Sequence, residues 1–468
     1  MKEKEKNEFV ITPGMHFAVR FLALALAFLL IFLAGRAAIT FCLGLFADGD
    51  HIVQLPGQES PVVDPDDIPH ALKPIYVDSS QVMEIARADI TVAGDLMLHL
   101  PIVRTSQTTD GYDFSDIFRY VQEYVSDANY AVVNLETTLS GSEGKEFTGY
   151  PDFNSPDQIA LNAKNAGFDM LLTGNNHIYD YGTDGLKRTM SIIRGFGLDY
   201  LGTVESAEDT RHAIQNIGGV KVGMACYTFA DIDDKGNVKV NGHKTDSAAA
   251  GLINAFDYDK LSHFYTEVEG ELAAMKANGA DALVVYIHWG DEYSSVINEK
   301  QREIAQQLCD MGVNVLVGTH PHVVQPVELM SVSMEPARKM ICVYSAGTLL
   351  SNLRADTINM ETSHCEDGLL FNFTLSKYSD GTTRVSAVNL IPTWVMVKGS
   401  GEDRDFYILP LDKSVEDWKT AFNLTDEQLS DAKNSHSRTM ALVTSGLHQI
   451  TSYLTDKNSA LDPSLGVG

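Results

Sequence analysis

The chain has 468 residues, 44% hydrophobic and 21% charged, a composition that excludes a disordered polymer, a disulfide-stapled miniprotein and a polytopic membrane protein. Asp and Glu number 63 against 35 Lys and Arg, and the net charge of −28 repels phosphate backbones, so no nucleic-acid partner is expected.

From Phe21 to Phe46 the residues are apolar on every face except at Arg36, a run long enough to cross a bilayer with some tilt. It reads as a transmembrane helix or as a signal peptide cleaved near the small residues around Arg36, and the apolar sequence resuming beyond Arg36 favours an uncleaved anchor. Lys2, Lys4, Lys6 and Arg20 precede the run, which places the N-terminus in the cytoplasm and the rest of the chain outside the cell membrane. Residues 47–86 are acidic and proline-bearing without sustained periodicity, as expected of an extended stalk.

Beyond the stalk, apolar strand-like runs alternate with helical patterns: ADITVAG, FSDIFRYVQEYV, YAVVNLE, SPDQIALNAKNAG and FDMLLTG. This is α/β order. In the fourth segment Ser155 suits an N-cap, Pro156 the first helical position and Gly167 a left-handed exit. There follow a β-rich stretch with a Gly-Gly turn (AIQNIGGVKVGMACYTF), a long helix over Leu261–Ala277, the strand DALVVYIHWG, a helix near Asn298–Met311, and the strands NVLVGTH and MICVYSAG. GLLFNFTLSK and TRVSAVNLIPTWVMV, joined by Asp380-Gly381, predict an antiparallel hairpin. Past Gly399 the pattern is acidic and mostly helical, so the expected organisation is a cytoplasmic N-terminus over 1–20, an anchor over 21–46, a linker over 47–86, an α/β domain over 87–398 and a C-terminal helical extension over 399–468. Cys226, Cys309 and Cys342 fall in strand-like or helical segments and read as buried thiols, and Cys365, with no second Cys/His pair nearby, as a loop thiol.

Five polar clusters follow strand-like runs, where ligands collect in α/β sheets. They are Asp95 and His99 in GDLMLH, Asn134 and Glu136 in NLE, Asn175, Asn176, His177 and Asp180 in GNNHIYDYG, His288 and Glu292 in IHWGDEY, and His320, His322, Gln325 and Glu328 in GTHPHVVQPVE. A strand-end His or Asp taken singly is ordinarily a turn or cap residue. As a set, carboxylate, amide and imidazole suit Zn, Mn or Fe better than Ca. His320 and His322 alternate on an extended segment with Pro321 between them, which aims both rings at one strand end. Asp180 either orients His177 or caps the helix that follows. Glu292 and Glu328 either hold histidine tautomers or are surface acids, Trp289 reads as packing beneath the site, and His51, His70 and His364 read as surface residues.

The segments GDLMLH, NLETTL, GNNHIYDYG, HWGDEY, GTHPHVVQPVE and YSAGTLLSN, in this order over Asp89 to about Leu353, resemble the CapA family of capsule (poly-γ-glutamate) synthesis proteins. That family in turn resembles calcineurin-like metallophosphoesterases, which implies a two-sheet α/β sandwich holding two divalent metal ions. Under the resemblance, Asp95, His99 and His322 take the place of first-metal ligands, Glu136 of the bridging carboxylate, and Asn176, His288 and His320 of second-metal ligands. His177 takes the place of the general acid, with Asp180 beside it. The chain differs from the phosphoesterase pattern in spacing Asp95 and His99 by three residues, in bridging with Glu rather than Asp, and in doubling the asparagine before His177.

Three functions follow as expectations. The resemblance implies a membrane-anchored component of poly-γ-glutamate synthesis or export, acting beside membrane synthase subunits and the polyanionic polymer. The ligand set would equally serve a metal-dependent phosphoesterase acting on an extracytoplasmic phosphoester. The third is a noncatalytic scaffold of a membrane synthase.

Overall fold

The computed structural model describes residues 82–461 apart from 235, 250, 355–363 and 402. The expected anchor at 21–46, nearly all of the linker, Cys42, His51 and His70 lie outside the described residues. No helix among the described residues is long and apolar enough to cross a membrane.

Strands β1 (Glu84–Leu96), β2 (Tyr130–Leu135), β3 (Met170–Leu172) and β4 (Asp199–Leu201) pair in parallel succession. The chain then builds a second sheet from β5 (His212–Ile217), β6 (Val220–Phe229), β7 (Ala255–Phe256), β8 (Ala282–His288), β9 (Val315–Thr319), β10 (Val327–Ser331) and β11 (Lys339–Val343). It returns to the first through β12 (Thr348–Leu350), β13 (Asp367–Tyr378), β14 (Thr383–Ser400) and β15 (Asp403–Pro410). The first sheet has eight strands, ordered β15-β14-β13-β1-β2-β3-β4 with β12 beside β1, and the second has seven, ordered β7-β6-β8-β9-β11-β10 with β5 beside β6. The helices used below are α1 (Gln158–Asn165), α2 (Gly182–Gly195), α3 (Leu261–Ala277), α4 (Glu299–Met311), α5 (Val415–Ala421) and α6 (Asp426–Leu461).

The parallel strands read as unbroken apolar runs because both of their faces are buried. One face of each sheet shares a common core: Ile90, Val92, Val132 and Phe371 from the first, Val222, Met224, Val284 and Val317 from the second. The alternate residues face outward, so Ala131, Val133 and Leu135 of β2 pack on Ile159 and Ala163 of α1, while Val285 and Ile287 of β8 pack on Phe264 and Leu272 of α3 and Leu308 of α4. The product is two sheets face to face with helices outside, a mixed α/β fold. α4 has a capping box in which Asn298 and Gln301 bond each other's backbone N–H, and it ends at Gly312 in the left-handed conformation (φ 96°).

Two expected boundaries move. The helix after NLETTL begins at Gln158 with Asp157 at its N-cap, because Ser155 Oγ is engaged with Thr137 Oγ1 at 2.8 Å instead of capping. Gly167 does take the left-handed conformation (φ 109°). The residues past Gly399 do not begin with helix: Asp403–Pro410 alternates Phe406 and Ile408 into the outer core and pairs antiparallel with β14, becoming the edge strand β15 before α5 and α6. The described cysteines Cys226, Cys309, Cys342 and Cys365 are all buried, and none of them is in a disulfide.

α6 packs against β14 and β10, sending Val443, Ile450 and Leu454 into the shared core. It is tied to the first sheet by a two-pronged bond from Arg438 to Asp367, at 3.0 Å from Nε and 2.9 Å from the terminal nitrogen. Burial pushes the Asp367 carboxyl up to about 6 from 3.8, against the pull of Arg438. The folded carboxyl thus holds its proton more tightly than the unfolded one, and its contribution to stability falls as pH rises from 3.8 to about 6. Arg438→Met removes the counter-charge, so denaturant melts should show a loss of about 3 kcal/mol at pH 8 and a smaller one at pH 5, where Asp367 takes up a proton.

Candidate metal centre

The polar clusters meet at the C-terminal ends of β1, β2, β8 and β9. Asp95 follows Gly94 near the end of β1, Glu136 stands directly after β2, His288 is the last residue of β8, and His320 and His322 follow β9. All five are buried. Two triads of ligand-type groups converge, each with its atoms within 4.8 Å of one another: Asp95, Glu136 and His322, and Glu136, His288 and His320. Glu136 belongs to both, and its Oε1 lies 3.4 Å from His288 Nε2 and 3.9 Å from His322 Nε2.

The histidines do not converge in the expected way. His320 and His322 both have positive φ, 97° and 55°, rather than extended backbone. Alternation on a strand would have set both rings on one face; here left-handed backbone at both residues brings them together instead, with the ring centroids 5.8 Å apart. This strained backbone is held by its surroundings: His320 N–H faces Asp95 Oδ2 at 3.4 Å, and His322 C=O accepts from Thr348 Oγ1 at 3.1 Å. The Phe229 ring packs on His288 and His320, at 6.2 and 4.7 Å between centroids.

An amide network fixes the carboxylates. Asn134 Nδ2 donates to Asp95 Oδ1 at 2.8 Å and lies 3.2 Å from Glu136 Oε2, and Asn175 Nδ2 donates to Asn134 Oδ1 at 3.0 Å and to Leu135 O at 2.8 Å. Asn134 and Asn175 are thus supports rather than ligands. Asn176 Oδ1 meets His288 Nε2 at 2.8 Å, and His288 Nδ1 meets Thr319 Oγ1 at 3.0 Å.

The protonation pattern follows from burial. Burial alone would raise Asp95, but the bond to His322 Nδ1 at 2.9 Å holds it below the ordinary carboxylate value. Burial likewise works to lower His322, and Glu136 and Asp95 overcome it, lifting the imidazole to about 9. Burial pushes Glu136 well up, reinforced by the charge of Asp95, and pushes His288 down to about 3 and His320 well below its usual value. Neutral His288 and His320 keep a ring lone pair for a Lewis acid. Among the described residues, Glu136 Oε1 and His320 Nδ1 are buried without a hydrogen-bond partner, a costly arrangement for a polar atom unless something else occupies it. These donors fit one or two divalent cations of the Mn, Fe or Zn type.

His177 and Asp180 stand beside this centre. Asp180 does not cap α2, whose N-cap is Tyr181 with no side-chain bond; its Oδ2 lies 2.7 Å from His177 Nδ1 and accepts from Phe153 N at 2.7 Å. His99 is not brought into either triad: its Nδ1 accepts from Asn352 N at 3.2 Å, and its ring meets Phe153 edge-on at 5.1 Å. Burial pushes its imidazole down to about 3, with His322 and His177 adding to the effect. Glu292 is exposed yet offers an oxygen within 4.8 Å of His320 and His322. Glu328 is elsewhere, bonded to Arg302 at 3.2 Å and to Tyr344 Oη at 3.2 Å. Trp289 is fully buried, stacked on Tyr344 and donating to its C=O at 2.8 Å, so it packs beneath the site. Asn241, whose amide reaches Asp180, lies outside the five polar clusters; the Asn-Gly pair between VKV and HKT is its hairpin signal.

Fold and site together define a class: a two-sheet α/β protein with a buried carboxylate and imidazole centre at its strand ends. Residues 89–353 match the family model described as "Bacterial capsule synthesis protein PGA_cap", more than half of the chain, and the chain belongs to that family. It is 27% identical over 271 residues to the "Capsule biosynthesis protein CapA" of Bacillus anthracis, covering 57% of this chain and 60% of that protein. It is 25% identical over 300 residues to the "PGA biosynthesis protein CapA" of Bacillus subtilis (strain 168), covering 64% of this chain and 70% of that protein. A "Probable polyglutamine synthesis accessory protein" of Mycobacterium tuberculosis is 25% identical over 210 residues, 42% of this chain and 51% of that protein.

Proposed function

We propose that the chain serves poly-γ-glutamate capsule synthesis or export as a membrane-anchored protein whose α/β domain lies outside the cell, beside synthase subunits and the nascent polymer, and carries a divalent-metal centre. Family membership and the names of the relatives support the capsule reading, and the apolar run at 21–46 supports the anchor. The observation carrying the metal centre is that Glu136 is shared by two ligand triads while its Oε1 lacks a hydrogen-bond partner. Asp95, Glu136 and His322 would hold one cation, and Glu136, His288 and His320 the other, with Asn176 beside His288. Cations so held supply Lewis acidity to an oxygen of the substrate.

The same centre favours a second reading, hydrolysis of an extracytoplasmic phosphoester on a metallophosphoesterase-like sandwich. Here the chain's own part is proton handling. Asp180 accepts from Nδ1 of His177, which selects the tautomer with Nε2 left to exchange a proton with the leaving oxygen. Asn134 and Asn175 keep Asp95 and Glu136 from rotating.

The test is metal content by mass spectrometry on the full chain purified in detergent without chelator. About two equivalents of Mn, Fe or Zn are expected in the native protein, and roughly a tenth as much in the double variant His320→Ala/His322→Ala, because each triad loses a ligand. Equal metal in both proteins would dismiss the centre. Complementation of a capsule-deficient strain by Asp95→Asn then divides the readings: restored polymer with no metal bound points to a scaffold.

A further inference from the structure

Strands Val238–Val240 and His243–Lys244 pair as a hairpin closed by Asn241-Gly242, both at positive φ, 45° and 78°. Such a two-residue turn demands these residue types and leaves the asparagine side chain at the tip. The tip reaches the segment around the His177–Asp180 pair. Asn241 Nδ2 donates to Asp180 Oδ1 at 2.8 Å and to Pro151 O at 3.1 Å, and sits 3.2 Å from His177 Nδ1. An amide has two N–H groups, and those two oxygens use both, so His177 Nδ1 keeps Asp180 Oδ2 as its own partner at 2.7 Å. A second tie, His243 Nε2 to Asp152 Oδ1 at 2.7 Å, fastens the hairpin to the same 151–153 segment, whose Phe153 ring meets His177 edge-on at 4.7 Å.

Asp152, Asp180 and His243 also bring ligand atoms within 4.8 Å of one another. That cluster is a hydrogen-bonded network: both oxygens of Asp180 are taken by three donors, and His243 is taken by Asp152.

We propose that Asn241 is a positioning residue for His177, locking the Asp180 carboxylate so that it holds a single tautomer of the imidazole with Nε2 turned to the reacting group. The role rests on the reading of His177 given above, in which the ring, held through Nδ1–H, gives the leaving oxygen a proton from Nε2 when that nitrogen is also protonated. It makes the hairpin between β6 and β7 part of the proton-handling machinery, although it contributes no residue to the two triads. Without the amide, Asp180 Oδ1 loses its side-chain donor, the carboxylate swings, and the ring samples both tautomers.

The experiment uses the full chain, loaded with Mn for kinetics and metal-free for spectroscopy, with Asn241→Gly and Asn241→Asp. Glycine keeps the left-handed turn and removes the amide. Aspartate keeps the turn and sets a carboxylate against Asp180. In ¹⁵N-histidine spectra the native protein should show a slowly exchanging Nδ1–H proton for His177, and both variants should exchange it about tenfold faster or more, as expected when a local contact that shields it opens. With bis(p-nitrophenyl) phosphate as probe, kcat should fall about tenfold at unchanged KM, part of the range a positioned acid contributes. Unchanged exchange in both variants overturns the positioning role whatever the kinetics. Accelerated exchange with no phosphodiester hydrolysis in the native protein upholds the positioning and removes the phosphoesterase reading instead.

Discussion

Glu136→Gln is expected to strip the centre of metal while leaving the fold intact. The substitution keeps the side-chain volume and changes only charge and donor type at the one group common to both triads. Because Oε1 is the buried oxygen without a hydrogen-bond partner and lies between His288 and His322, its loss as an anionic ligand weakens both positions together. Affinity for Mn or Zn, followed by titration calorimetry, should fall by more than about 100-fold, the upper end of what changes to mere supporting residues cause. The metal-free variant should melt no lower than the metal-free native protein. Burial and the neighbouring Asp95 already make a charge on Glu136 unfavourable, and a neutral amide avoids that repulsion. Native-like affinity in the variant would mean that Glu136 is not a ligand.

Gly94→Ala should cause a large loss of stability beside the site. A Cβ at Gly94 would lie 2.0 Å from Gly347 O, 2.8 Å from Gly347 C and 3.0 Å from Ala346 O, all backbone atoms that cannot swing aside. The same close approach carries a hydrogen bond, Asp95 N to Gly347 O at 2.9 Å, so relief of the clash pulls β1 away from the segment entering β12. Overpacking of this kind costs about 3 kcal/mol or more when backbone must move. The displaced residue is Asp95 itself, and metal affinity should fall with stability. Gly270→Ala is the control: that glycine is exposed in α3 with nothing within 4 Å of an added Cβ, and the change should stabilise the helix by about 0.5–1 kcal/mol. Urea midpoints for the two variants moving in opposite directions would establish that contact, rather than the mere loss of a glycine, is responsible.

Much of this architecture is legible in the residues. The run Leu261–Ala277 is a helix with the limits its periodicity indicates, and the two strands about Asp380-Gly381 form the expected hairpin. The chemistry of the site is legible too, since Asp95, Glu136, His288, His320 and His322 announce themselves by following apolar strands. Other features resisted. Phe406 and Ile408 on β15 sit in a short run whose alternation acquires meaning only once β14 is beside it. The family resemblance makes His99 a partner for Asp95, but the short helix Leu100–Thr105 begins immediately after it and its Nδ1 is taken by Asn352.

The sequence by itself determined the alternation of strands and helices, the apolar run near the N-terminus, the family motifs and the residue types offered at each strand end. These are local properties, because side-chain periodicity and turn chemistry are settled within a few residues. Only the tertiary structure decided which of those groups meet. His322 reaches Asp95 across 227 positions, Asn241 reaches Asp180 across 61, and the histidine pair converges through two left-handed residues rather than through an extended strand. Such contacts are set by sheet order and by the packing of the two sheets, and no short window of sequence contains either.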